Sequence, residues 1–340
     1  MKKTLFAALA LVSMASCSNE DVLEVAQKEA IGFENAFVNN STRSVVDPSY
    51  SSQEKVGKGM FTDFHVYGFV EGAALFTDNG TKVAKNIVNA ELESDWKYKG
   101  TQYWIAGANY DYHAFAPSKG WTKTSASADQ LVLSYENTDG TSDVLYAQTS
   151  QMGKVSGNAA VALTFTHILS KVKFSFENAY NATNAKIKVQ NIKITDAYKN
   201  GSVTLKNSSV EWGSQDNETT LDFGAATNNN ENVAAAYAYQ TTLESYNELL
   251  IIPSTNKNYT VTFDVVILVN DTEIKTYNHT ATVTNFNPES GKSYDIKAVI
   301  DAKNIDPDHK QEPIEFTVTR IEEWISGTNP SNITTTTPAN

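Results

Sequence analysis

Between Val161 and Glu177 the chain reads V-A-L-T-F-T-H-I-L-S-K-V-K-F-S-F-E. Val161, Leu163 and Phe165 alternate with polar or small residues, and Val172, Phe174 and Phe176 do so in the opposite phase. A period of two predicts a half-buried strand in each arm. The slip at Leu169-Ser170-Lys171 predicts a bulge or a tight turn between a pair of core strands. The same period recurs further on. Tyr259, Val261, Phe263, Val265, Ile267 and Val269 alternate without a break, Asn270-Asp271 predicts a hairpin turn, and Tyr277, His279, Ala281 and Val283 return. Tyr294, Ile296, Ala298 and Ile300 alternate again, as do Ile314, Phe316 and Val318. Leu249 to Ile252, closed by Pro253, predicts a short buried strand. Earlier, Phe64 to Val70 is apolar on both faces, Tyr110, Tyr112, Ala114 and Ala116 alternate up to Pro117, and Leu131 to Tyr135 and Asp143 to Ala147 follow. Residues 213–235, rich in Asn, Thr and Gly, predict a long surface loop.

Many short strands with almost no helical period predict an all-β chain of two β-sandwiches. The expected divisions are an N-terminal sandwich over 60–157, a C-terminal sandwich over 158–325, a preceding segment over 17–59 with Ile31-Gly32-Phe33 as a short strand, and a polar tail over 326–340. Gly153 to Asn158 is the expected link between the sandwiches. A chain of 340 residues is long enough for two cores.

Charge and cysteine use narrow the partners. A net charge of -12 argues against nucleic acid and against a direct anionic membrane surface. One cysteine, Cys17, excludes an intramolecular disulfide. The first residues read as a processing signal: Lys2 and Lys3, then an apolar stretch from Leu5 to Val12 that is too short to span a bilayer. Met14-Ala15-Ser16-Cys17 resembles a bacterial lipobox, with Met14 where Leu is usual. Cleavage after the 1–16 signal peptide leaves 340 − 16 = 324 residues with Cys17 lipidated, and two or three acyl chains give stable anchoring. Arg43, in the polar loop Asn39 to Ser44, is the only arginine before Arg320 and is an exposed target for an arginine-specific protease.

Candidate chemistry is sparse. The chain carries no nucleophile elbow, zinc-protease helix, phosphate loop or dinucleotide fingerprint. Its five histidines have no metal-ligand spacing, and His167 reads as a packed strand residue. Asp306-Pro307-Asp308 begins a calcium-loop pattern without its later oxygen ligands. No catalytic residue, metal or cofactor is expected. Trp96, Trp104 and Trp121 are either core residues or the platform of a glycan site, so a surface glycan-binding lipoprotein is the alternative function.

Taken in order, these segments resemble the fimbrillin family of the Bacteroides group. The lipobox, Ile31-Gly32-Phe33 and Thr42-Arg43 are similar to its opening, and Phe64 to Phe69 to its next strand. Asp143 to Ala147, Leu163 to Val172, Leu250 to Pro253 and Gly291 to Tyr294 resemble its later motifs, and Ile314 to Trp324 its close. Phe286 stands where many members carry Trp. The resemblance implies two transthyretin-like Greek-key β-sandwich domains in tandem, and an outer membrane lipoprotein on the cell surface, in a fimbrium. It implies a shaft, tip or accessory subunit that mediates adhesion. Cleavage after Arg43 would remove the anchor and the strand at Ile31, Gly32 and Phe33. A strand from another fimbrial subunit would replace it, donated by a C-terminal segment such as Ile314, Phe316 and Val318. Host or bacterial surface glycans or proteins are the further partners it implies.

Overall fold

The computed structural model describes residues 29–38, 62–76, 80–85, 87–88, 91–92, 95–118, 120–206, 209–229, 231–305 and 312–321. Over these residues the chain is all-β, with one four-residue helix, α1 (Ala302–Ile305). The strands of the N-terminal part are β1 (Phe33–Val38), β2 (Asp63–Val70), β3 (Ala73–Ala74), β4 (Thr81–Ala84), β5 (Ile87–Val88), β6 (Glu91–Leu92), β7 (Lys97–Tyr98), β8 (Asn109–Ala116), β9 (Trp121–Ala126), β10 (Gln130–Glu136) and β11 (Leu145–Met152). Then come β12 (Val161–His167), β13 (Ser170–Asn178), β14 (Ala185–Lys206), β15 (Ser209–Gly224), β16 (Ala226–Thr227), β17 (Thr242–Ser245), β18 (Leu249–Ile251), β19 (Lys257–Val269), β20 (Thr272–Phe286), β21 (Ser293–Ile300) and β22 (Phe316–Ile321).

The first sheet runs β1-β12-β11-β8-β2-β4-β7, with β3 on β2. Its inner face buries Ile31, Phe33, Phe64, Val66, Tyr110, Tyr112, Val161, Leu163 and Phe165 around one core. Every strand supplying that core belongs to this sheet, so the sheet curls on itself into a nearly closed barrel. The second sheet runs β20-β19-β14-β10-β9, with β15 on β14, and the third runs β16-β17-β13-β21-β22, with β18 on β13. These two pack face to face over Phe174, Phe176, Val189, Ile194, Phe263 and Ile296. A third cluster joins the halves. Tyr67, Phe69, Phe115 and Tyr146 on the outer face of the first sheet meet Leu131, Leu133, Val203 and Leu205 of the second. Strand β14 serves both cores: Ile187 to Ala197 face one, and Val203 and Leu205 the other. Strand β12 belongs to the first sheet, and β9 and β10, which precede it, belong to the second.

Two expectations from the pattern are corrected. Strands β12 and β13 are not partners and no bulge or hairpin separates them. After His167 the chain leaves the first sheet, buries Ile168 and Leu169 completely, and enters the third sheet at Ser170. The phase slip is a change of sheet, which exchanges one core for another. A buried pair holds this crossing: His167 Nδ1 lies 2.6 Å from Asp143 Oδ2, while Asp143 Oδ1 accepts the Val144 N–H at 2.8 Å. Residues 213–235 are likewise not one long loop. Strand β15 pairs with β14 from Ile192↔Gly224 to Lys206↔Ser209. It has a single partner strand among the described residues and no buried side chain over 209–220, so main-chain hydrogen bonds define that length, and only its end, at Leu221 and Phe223, is buried in the core. The hairpin turn at Asn270-Asp271 is where the sequence predicts it, with both residues at positive φ (48° and 61°) as a tight two-residue turn requires.

Candidate functional site

The segment from Glu29 to Phe33 closes the seam of the first sheet. On one side β1 runs parallel to β12, with Phe33 opposite Val161 and Glu34 opposite Ala162, and the Val161 N–H donates to Gly32 C=O at 2.7 Å. On the other side the chain pairs with the stretch that follows β7. The Ile31 N–H donates to Gln102 C=O at 2.8 Å and the Trp104 N–H to Glu29 C=O at 3.0 Å, flanking an antiparallel bridge from Ala30 to Tyr103. The Tyr98 hydroxyl donates to Ile31 C=O at 2.8 Å and accepts the Gln102 N–H at 3.2 Å.

Alternation along an extended chain sends Ile31 and Phe33 inward, where they are 2% and 5% exposed. The Phe33 ring meets Phe64, Tyr98 and Tyr112 edge to face, at centroid distances of 5.8, 5.7 and 6.0 Å. The Tyr112 hydroxyl beside it is buried without a hydrogen-bond partner, and burial raises its phenol far above the usual range. At the entrance, the Glu29 carboxylate accepts the Gly157 N–H, the Asn158 N–H and the Asn158 side-chain amide. The arrangement performs no bond chemistry. It is a groove with a row of main-chain donors and acceptors on each wall and apolar pockets along its floor, filled by a strand of the chain's own N-terminal segment.

The other residues singled out from the sequence fall elsewhere. Ile314 is buried, and Phe316 and Val318 are half-buried on β22, which pairs antiparallel with β21 at the edge of the third sheet. Phe316 packs against Phe174 and Phe263, and Arg320 forms an ion pair with Glu289 at 3.0 Å. Trp104 is buried and Trp96 half-buried at the inner core of the first sheet, whereas Trp121 packs at the outer face with its indole N–H donating to Pro117 C=O at 3.0 Å. The three tryptophans therefore share no single surface. Trp121 lines an open groove with Thr122, Ser134, Tyr135 and Glu136. Cys17, Arg43, Asp306, Asp308 and Trp324 lie outside the described residues. Among the described residues no cluster of three or more His, Cys, Asp or Glu is placed to hold a metal. The seam roles of Glu29, Tyr98, Gln102 and Asn158 were not legible in the sequence, because they depend on contacts across 67 to 129 residues.

The fimbrillin-like family profile matches residues 55–324. No curated protein matches the chain. Among solved structures, a fimbrial protein from Bacteroides vulgatus is similar over 86% of this chain and 99% of its own, at 16% identity and a TM-score of 0.52, a likeness that shows the fold. A putative cell adhesion protein from Bacteroides ovatus is similar over 88% of this chain and 99% of its own, at 16% identity and a TM-score of 0.49. One from Bacteroides uniformis is similar over 88% and 98%, at 12% identity and a TM-score of 0.46.

Proposed function

The chain belongs to the fimbrillin-like family, and from that premise we propose that it is a structural subunit of a surface fimbria, assembled by strand addition after proteolysis. Proteins of this family are cell-surface fimbrial and adhesion proteins, structural rather than catalytic. The finer reading is carried by the seam at Glu29 to Phe33. A short strand fills a groove between two walls of the first sheet, and it precedes Arg43 in the chain. Cutting after Arg43 would separate that strand from the folded body. Its loss would leave buried N–H and C=O groups unpaired, each costing about 1–3 kcal/mol, beside open apolar pockets. A strand from another subunit restores both, as in β-strand addition generally.

On this reading Cys17 anchors the precursor to the outer membrane until the cut releases it. The donor is the C-terminal segment of Ile314, Phe316 and Val318. Its place supports that role: β22 is an edge strand with β21 as its single sheet partner among the described strands, so its departure breaks one ladder, at the cost of withdrawing Ile314 and Phe316 from the core they pack against. The first half, a sheet curled around its own core, is then completed by whichever strand occupies its seam. Fibres sheared from cells producing this chain test the proposal. The chain recovered from them should begin at Ser44. Recovery of Cys17-initiated chain alone, or its absence from the fibres, would refute it. A second reading, glycan binding, is supported only by Trp121 in its open groove. Retention in a polysaccharide gel that Trp121→Ala abolishes, with the fold intact, would favour that reading.

A further inference from the structure

The loop between β11 and β12 holds a carboxylate with three donors. One Glu29 oxygen accepts the Gly157 N–H at 2.6 Å, and the other accepts the Asn158 backbone N–H at 2.7 Å and its side-chain amide at 2.6 Å. The Asn158 and Gly157 backbone N–H groups, with the Asn158 amide, hold the Glu29 carboxyl below the usual carboxylate range. The loop has further bonds of its own. Asn158 Oδ1 accepts the Lys154 N–H at 2.7 Å and Asn158 Nδ2 donates to Lys154 C=O at 3.0 Å. Across its base, Gln151 Nε2 donates to Ala159 C=O at 3.1 Å. Gly157 is at φ +70°, the left-handed conformation that turns successive N–H groups toward a common point, as in backbone anion nests. These bonds do not involve Glu29, so the loop keeps its shape when Glu29 departs.

We propose that Gly157 and Asn158 form a carboxylate-recognition site for the incoming strand of a neighbouring subunit. This inference rests on the strand-addition reading. The strand it takes carries an Asp or Glu two positions outside the residue that fills the Ile31 pocket, the spacing Glu29 has in the chain itself. The site serves register. A one-residue slip turns every apolar side chain of the strand away from the groove and carries the carboxylate away from its three donors. Pockets for Ile31 and Phe33 select size, and the loop selects charge and position, at opposite ends of the same short segment.

The test uses the full chain, cut after Arg43 with both pieces retained. The probe is a fluorescent, N-acetylated decapeptide of residues Glu29–Val38, compared with the same peptide carrying Glu29→Gln. Hydrogen bonds to an ionised carboxylate are about twice as strong as neutral ones. The Glu29→Gln peptide should therefore bind about ten-fold more weakly to the cut chain, and Asn158→Ala in that chain should shrink the gap to under about three-fold. Equal binding of the two peptides, or a gap untouched by Asn158→Ala, overturns the carboxylate site and leaves strand addition standing. Binding of neither peptide overturns strand addition and this site with it. In the uncut chain Glu29→Gln should speed hydrogen exchange of the Ile31 amide several-fold, and an unchanged rate also overturns the site.

Discussion

Phe33→Ala isolates the hold of the seam on β1. The side chain is 5% exposed and touches three aromatic rings. Truncating a buried phenylalanine costs about 3–5 kcal/mol, of which each aromatic pair supplies roughly 0.5–1.5 kcal/mol beyond area burial. The strand comes from an N-terminal segment, so it detaches without unfolding the rest, and the loss falls on the local opening of β1. At about 1.4 kcal/mol per factor of ten, a 3 kcal/mol loss raises the open population roughly a hundredfold. Hydrogen exchange resolved by residue reads this directly. The Val161 amide, which donates to Gly32 C=O, and the Ile31 amide, which donates to Gln102 C=O, should both exchange about a hundredfold faster. Amides of β19 and β21, in the other core, should be unchanged. Glu34→Ala, at an exposed position of the same strand, should change little, within about 0.5 kcal/mol. If Phe33→Ala leaves Val161 and Ile31 at wild-type rates, the seam does not depend on this strand and the energetic reasoning fails.

Tyr112→Phe removes a buried hydroxyl without a partner and should raise the denaturant midpoint, by up to about 1 kcal/mol in stability; a clear loss would mean the hydroxyl is satisfied in solution. Burial holds the His113 imidazole below its ordinary 6.5, so the unfolded chain binds more protons below that pH. Its contribution to stability is complete above about pH 6.5 and is lost as pH falls through the lower folded value. Guanidinium midpoints should therefore drop between pH 6.5 and 5.5, and His113→Gln should flatten that slope. Cells fed a fatty-acid analogue should label the wild-type chain and not Cys17→Ser.

The strands were legible where one face is buried and the other wet. Tyr259 to Val265 is such a case, since its alternation is a direct image of a core on one side. What was not legible is which strands share a sheet. Val161 to Phe165 and Val172 to Phe176 carry the same period whether they pair or part, and only the burial of Ile168 and Leu169 between two cores decides it. Strand β15 escaped notice for the opposite reason: main-chain bonds to β14 hold it, and before Leu221 and Phe223 its side chains are exposed or half-buried. At the seam, the apolar residues Ile31 and Phe33 were visible in the sequence. The closing partners were not, because Tyr98, Gln102 and Asn158 are polar residues whose spacing along the chain says nothing of their meeting. Trp96, Trp104 and Trp121 show the same limit, since residues near in sequence are divided between the two faces of one sheet.

Cleavage of the purified full chain with an arginine-specific protease tests the central claim most directly. The cut should fall after Arg43 and spare the folded body, with Arg320 held in β22. The cut protein, alone or with candidate partner subunits, should form ladders that resist sodium dodecyl sulfate, and Arg43→Ala protein should form none. A clean cut whose product stays monomeric with every partner subunit tried would contradict the account.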